Sequence, residues 1–216
     1  MGGCLLLCFV GVDGSGKTTH AKCIASFLRK KGYSCRYVKI VSRPILLYFF
    51  LMFTRIAGYW ESNKKGVWMD PLKKASPTLR MKLGKIYRLL LFVDFLIIVL
   101  VKVILLSYFT KVLVLDRYVY DLIMELKLSS LSSNNFDKLI LTLTPIPRKV
   151  FLADATLELL AQRRPDICID NLFRKQVFYR NLAKFFGFQT FDTSISFDIN
   201  QQFLQKEALR AIKCIS

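Results

Sequence analysis

The chain has 216 residues, 53% of them hydrophobic, and sets 33 Lys and Arg against 15 Asp and Glu for a formal charge of +18. That length suits one domain with a sizeable core, and the charge favours anionic partners: nucleotides, nucleic acid or acidic lipid surfaces. A single histidine, His20, argues against a histidine triad or a multi-histidine metal site, and six cysteines without a C-x-x-C pair argue against zinc.

The expected elements alternate between strand and helix. Leu5–Val12 is a continuous apolar run, the pattern of a strand buried on both faces, and it reads as a first strand and not as a signal peptide. Thr18–Lys31 is a helix closed by Gly32, with Ile24, Phe27 and Leu28 inward. Further strands are expected at Arg36–Val41, Lys111–Asp116, Lys149–Asp154 and Phe188–Asp192. A helix over Leu172–Phe186 ends at Gly187, and a last one starts at Asp198 with Gln201 as capping-box partner. "SSLSSNN", Ser129 to Asn135, is a loop. Strand, helix and strand in repetition call for a three-layer α/β domain with a mostly parallel sheet of five strands.

Two greasy stretches stand apart, Pro44–Phe53 and Leu89–Phe109, and the mean hydropathy of the chain is +0.36. The second stretch is long enough to span a bilayer, although Asp94 and Lys102 interrupt it. A single span would put the glycine-rich turn and the strand ending at Asp116 on opposite sides of the membrane. The expected reading is a cytoplasmic protein in which this helix packs on the sheet and against a second subunit of a homodimer. Peripheral membrane contact is the other use of such a surface.

Behind the first strand, Gly11-Val12-Asp13-Gly14-Ser15-Gly16-Lys17-Thr18 satisfies G-x-x-x-x-G-K-[ST], with Thr19 next. The glycines let backbone N–H groups converge on phosphate oxygens, and the helix that follows points its positive dipole end at them. In this motif Lys17 reaches the β- and γ-phosphates of ATP, and the Thr18 hydroxyl is a magnesium ligand. An acidic partner is required, and "VLVLDRYVYD" supplies Asp116 at the carboxyl end of an apolar strand, where open α/β sheets place their chemistry. Arg117 beside it suits an anionic acceptor.

"GVDGSGKTTHAK", "VLVLDRYVYD" and "FLADATLELLAQRR" together resemble the phosphate loop, the DR-aromatic motif and the lid approach of thymidylate kinases, nucleoside monophosphate kinases of the P-loop class. The motifs stand in the family's order and cover most of the chain, with a poor match from Pro44 to Tyr108. The resemblance implies a nucleoside-monophosphate-kinase fold over 1–216 with a lid near residues 163–174. It implies transfer from ATP to dTMP, giving ADP and dTDP, with magnesium. By resemblance Asp13 lies near the acceptor's sugar and phosphate, Asp116 and Arg117 near magnesium and the acceptor phosphate, and Arg43 grips that phosphate.

Some thymidylate kinases carry an arginine inside the phosphate loop, where this chain has Gly14. Others supply it from the lid, as Arg163 and Arg164 could here, which makes them catalytic candidates beside Lys17 and Asp116. Asp94 fits the family's nucleotide-facing helix, but Phe95 stands where an arginine is expected. Phe92 is either a base-stacking ring or plain core. The chain also resembles a divergent thymidylate-kinase-like group with an apolar central helix, and for that group dTMP does not follow automatically. Two other functions stay in play: a kinase of another small anionic or lipid-linked substrate, and a non-catalytic ATP-dependent switch or nucleic-acid-binding protein. No RNA-binding aromatic motif or helix-turn-helix spacing supports a nucleic-acid partner.

Overall fold

The structure, a computed structural model, describes residues 4–40, 46–59, 72, 74–128 and 132–213. Five strands form one parallel sheet: β1 (Leu5–Gly11), β2 (Cys35–Lys39), β3 (Val112–Asp116), β4 (Lys149–Asp154) and β5 (Gln189–Asp192), in the order β2-β3-β1-β4-β5. β1 is central, pairing Phe9 with Asp116 on one side and Gly11 with Ala153 on the other. Its side chains alternate between two cores. Leu6, Cys8 and Val10 pack on one face, and Leu5, Leu7 and Phe9 on the other. This is why β1 reads as unbroken apolar sequence.

The second face is covered by α1 (Lys17–Lys30) and α8 (Phe197–Lys213), which bring Ile24, Leu28 and Leu204 onto the sheet. On the first face lie α2 (Leu46–Ile56), the long α3 (Pro77–Ser107), α4 (Val119–Leu128), α5 (Asn134–Leu143) and α7 (Ile169–Phe186). The short α6 (Leu157–Arg163) follows β4, and the Thr156 hydroxyl caps it by accepting from the Leu159 N–H. Three layers result, as the alternating pattern requires.

Several boundaries differ from the sequence reading. The last helix begins at Phe197, one residue before Asp198, and the Gln201 amide is not a cap; it bonds His20 Nδ1 at 2.7 Å. His20 also stacks on Phe197, so the lone histidine ties α1 to α8. β2 stops at Lys39. Cys8 and Cys35 are buried, whereas Cys168 is exposed.

The apolar segment Leu89–Phe109 is the later part of α3 and the turn that follows it, and the ladder of α3 widens to a π-helical turn at Leu100–Ile104. Among the described residues α3 alone is long and apolar enough to cross a membrane by length and composition, and 33% of its most apolar stretch is buried inside the protein. A single crossing would separate β1 from β3, yet the two strands pair along their length. That pairing excludes one span.

Candidate active site

The carboxyl ends of β1 and β3 meet at one point, and the chemistry assembles there. Gly11 closes β1 with φ 145°, and a β-carbon on it would sit 2.4 Å from the Ala153 carbonyl of β4. No other residue fits that approach. The turn then tightens, the Ser15 N–H donating to the Val12 carbonyl at 3.1 Å, and α1 opens at Lys17. The loop therefore aims backbone N–H groups and a helix N-terminus at the same spot. Thr19 is exposed on the first turn of α1.

Lys17 is buried and donates to the Val12 carbonyl at 3.0 Å. Burial, and after it the charge of Arg117, pushes its ammonium down to about 8, against the pull of Asp13, Asp121 and Asp116. Asp116 is fully buried; one of its oxygens accepts from both the Thr18 hydroxyl and the Tyr37 hydroxyl, each at 2.7 Å. Its other oxygen, Oδ1, is buried without a hydrogen-bond partner, as is Ser15 Oγ. An orphaned carboxylate oxygen next to a threonine hydroxyl on a phosphate loop suits a magnesium ion completed by phosphate oxygens and water. The donor set fits the metal.

Arg117 has a left-handed backbone, φ 68°, pinned by its N–H on the Phe9 carbonyl. Strain of this kind aims a side chain. Its guanidinium bonds Asp13 and, at 3.0 Å, Asp121 on α4. Asp13 also takes Lys175 of α7 at 2.9 Å and faces Lys17 at 3.9 Å. Burial works to raise the Asp13 carboxyl, but Arg117, Lys17 and Lys175 outweigh it and hold it well below the usual carboxylate range.

The end of α6 sits directly over Gly14. Arg163 donates to the Gly14 carbonyl at 3.1 Å, while a β-carbon on Gly14 (φ 88°) would meet Arg164 Cγ at 3.0 Å. The bare loop position and the two arginines at the end of α6 thus occupy the same space. Arg164 is forked onto Asp166 at 2.6 and 2.8 Å. The connection between α6 and α7 is short, since residues from Ile169 onward are already helical, so the stretch 163–174 comprises the end of α6, a turn and the first residues of α7.

A chain of this architecture has known counterparts. No protein-family model matches it. A relative from Methanothermobacter thermautotrophicus, described as a probable thymidylate kinase, is 54% identical over 35 residues, 16% of this chain and 18% of that protein. That stretch spans less than a fifth of the relative's length. The crystal structure of thymidylate kinase from Ehrlichia chaffeensis matches 97% of this chain and 99% of its own, with a TM-score of 0.55 at 17% identity. This chain has the thymidylate kinase fold.

Against that fold, the structure brings together Asp13, Lys17, Thr18, Asp116, Arg117 and Arg163, all legible in the sequence. Two acceptor-side candidates are used elsewhere. Asp94 is 2% exposed and accepts the Leu46 and Leu47 N–H groups at 3.0 and 2.9 Å, capping α2 from α3. Phe92 is buried edge-on against Phe136, so its ring is core and not a free stacking platform. Arg43 lies outside the described residues. The sequence reading missed Tyr37, Asp121 and Lys175. Tyr37 lay inside the expected second strand, one strand away from Asp116. Lys175 lay on the helix expected to begin at Leu172, far in sequence from the loop carboxylate it meets.

Proposed function

We propose that the protein is an ATP-dependent nucleoside monophosphate kinase whose acceptor is dTMP. The observation that carries this reading is the ring of Lys17, Arg117 and Lys175 about the single carboxylate of Asp13, at the strand ends of a thymidylate kinase fold. Three cations share two carboxylates there, Asp13 and the Asp121 that also takes Arg117, which leaves positive charge for an anion to balance, and phosphoryl transfer is catalysed mainly by positioning and charge neutralisation. The backbone of Gly11 to Thr19 and Lys17 hold the donor phosphates. Arg117 and Asp13 face the acceptor, and Arg163, with Arg164 behind it, covers the loop. Thr18 and Asp116 would hold magnesium, which when bound neutralises charge on the donor's terminal phosphates. The reading carries with it a cytoplasmic location and a homodimer closed through the outer sides of α2 and α3, the latter supported by the exposed Phe49, Phe53 and Leu100 and by Tyr108 just after α3.

A second reading changes only the acceptor. The loss of Asp94 and Phe92 to packing, next to that exposed apolar side, favours a small anionic or lipid-linked acceptor over a nucleotide. One screen separates the two: nucleoside monophosphates offered with ATP and magnesium, reading ADP. The expected outcome is ADP formation stimulated by dTMP and lost by about 10³-fold or more in Lys17→Ala. If no monophosphate stimulates ADP release, the nucleotide reading is wrong.

A further inference from the structure

We propose that Lys175 is a catalytic residue: on substrate binding its ammonium leaves Asp13 and pairs with the phosphoryl group in transit. The proposal rests on the kinase reading above and adds a residue to it. Lys175 is 9% exposed on the second turn of α7, and that turn is anchored, because the neighbouring Gln176 amide donates to Asp154 at 2.7 Å and to the Ala155 carbonyl at 2.6 Å. The ammonium is thus delivered to the phosphate loop from a fixed helix.

Its partner is shared. Asp13 Oδ2 takes Lys175 at 2.9 Å, and Asp13 Oδ1 faces Lys17 at 3.9 Å and also takes Arg117. Asp121 balances Arg117, and Asp116 is turned to the Thr18 and Tyr37 hydroxyls. The carboxylate thus stands between the two ammonium groups, bonded to Lys175 and 3.9 Å from Lys17, and a phosphoryl group between donor and acceptor would take over that bond to Lys175. Phosphate oxygens carry more charge than a carboxylate and bind an ammonium more strongly. A lysine can make the exchange by rotating its four-carbon stem, without moving the backbone.

The lid-side arginines do not offer the same thing. Arg164 is forked onto Asp166, Arg180 bonds Asp154 at 2.7 Å, and Arg163 bonds the outer carbonyl of Gly14. Among the described residues Lys175 is the cation from that side already bonded to a phosphate-loop carboxylate.

In the step itself an oxygen of the acceptor monophosphate forms a bond to the γ-phosphorus of the nucleoside triphosphate. The bond from that phosphorus to the β,γ-bridging oxygen breaks, and the diphosphate leaves with the electron pair. Lys175 keeps its proton throughout. It neutralises charge on the non-bridging oxygens, so it acts on kcat.

The test uses the full chain and compares Lys175→Met, Lys175→Gln and Lys175→Arg with the wild type. Steady-state kinetics give kcat and KM for ATP. Calorimetry gives the affinity for ADP alone and for ADP with aluminium fluoride and the acceptor monophosphate, which mimics the transfer state. Lys175→Met and Lys175→Gln should lower kcat by about 10² to 10³-fold. ADP affinity should stay within about threefold, and the fluoride complex should weaken by about the same factor as kcat. Lys175→Arg should recover part of the loss. A kcat within about threefold of wild type in both neutral variants, or a fluoride complex of unchanged affinity, reduces Lys175 to a structural tie and overturns the proposal. A wild type that makes no ADP with any monophosphate sinks the kinase reading and this inference with it; an active wild type with silent Lys175 variants sinks this inference alone.

Discussion

The two halves of the site use their polar groups in opposite ways. Around the phosphate loop the side chains are left with something to do: Asp116 keeps a buried oxygen without a partner, and Asp13 holds three cations. Around α2 and α3 the polar group is spent. Asp94 has both oxygens on backbone N–H groups of α2, and the surrounding surface is apolar. Buried polar groups that satisfy one another report on folding, and those left incomplete report on a ligand. In the reading proposed above, Asp116 and Asp13 await a phosphate and its metal, while Asp94 serves packing.

The comparison is sharpened most strongly at the lid. Arg163 bonds the phosphate loop through the Gly14 carbonyl, and on the proposed reading it adds charge to the transfer without being needed to hold ATP. Arg163→Ala should lower kcat by about 10²-fold or more, with ATP affinity nearly unchanged, and lysine should rescue it poorly because it lacks the two-pronged fork. Steady-state rates together with nucleotide titrations read both quantities. An Arg163→Ala and Arg164→Ala double variant with kcat within about twofold of wild type would move the lid out of the catalytic half altogether.

The donor half was legible because its chemistry is local. Eight consecutive residues, Gly11 to Thr18, carry the turn, the helix start and the lysine, and an apolar strand precedes them. Asp116 could be found because it ends a strand that had to lie beside β1. What stayed hidden needed three dimensions. Tyr37 reaches Asp116 from the neighbouring strand, 79 residues away in sequence, and Lys175 reaches Asp13 across 162. No spacing rule predicts such contacts. Asp94 shows the converse: a family pattern expects a substrate contact there, and a carboxylate facing the start of a helix serves equally well as its cap.

A pH profile probes the donor half at lower amplitude. Lys17 has a pKa of about 8 before phosphate binds, and bound phosphate favours the charged ammonium. The free protein therefore loses the binding form as pH rises through 8, while the complex keeps its proton to higher pH. ATP affinity should be flat below pH 8 and fall by up to tenfold per unit above it. Lys17→Arg, which stays charged, should flatten that fall. Calorimetric titrations between about pH 6.5 and 9.5 decide it, and a wild-type affinity independent of pH above 8 would mean that Lys17 does not meet the phosphates.

The smallest effect falls on the packing half and decides what Asp94 is for. Its carboxylate accepts from two successive N–H groups at the start of α2, which have no earlier carbonyl within the helix to bond. It also places negative charge at the positive end of the helix dipole. Asp94→Ala strands those donors in a site that is nearly sealed from water, at a cost of about 1–3 kcal/mol. For a domain of this length each of those kcal/mol is worth roughly 2–4 °C of Tm. Asp94→Asn keeps the shape but only one accepting oxygen, so it should lie between alanine and wild type. Thermal unfolding measures the loss, and KM for the acceptor, taken well below Tm, should not move in either variant. If Tm holds while KM for the monophosphate rises tenfold, Asp94 contacts the substrate, and the contrast between a binding half and a packing half collapses.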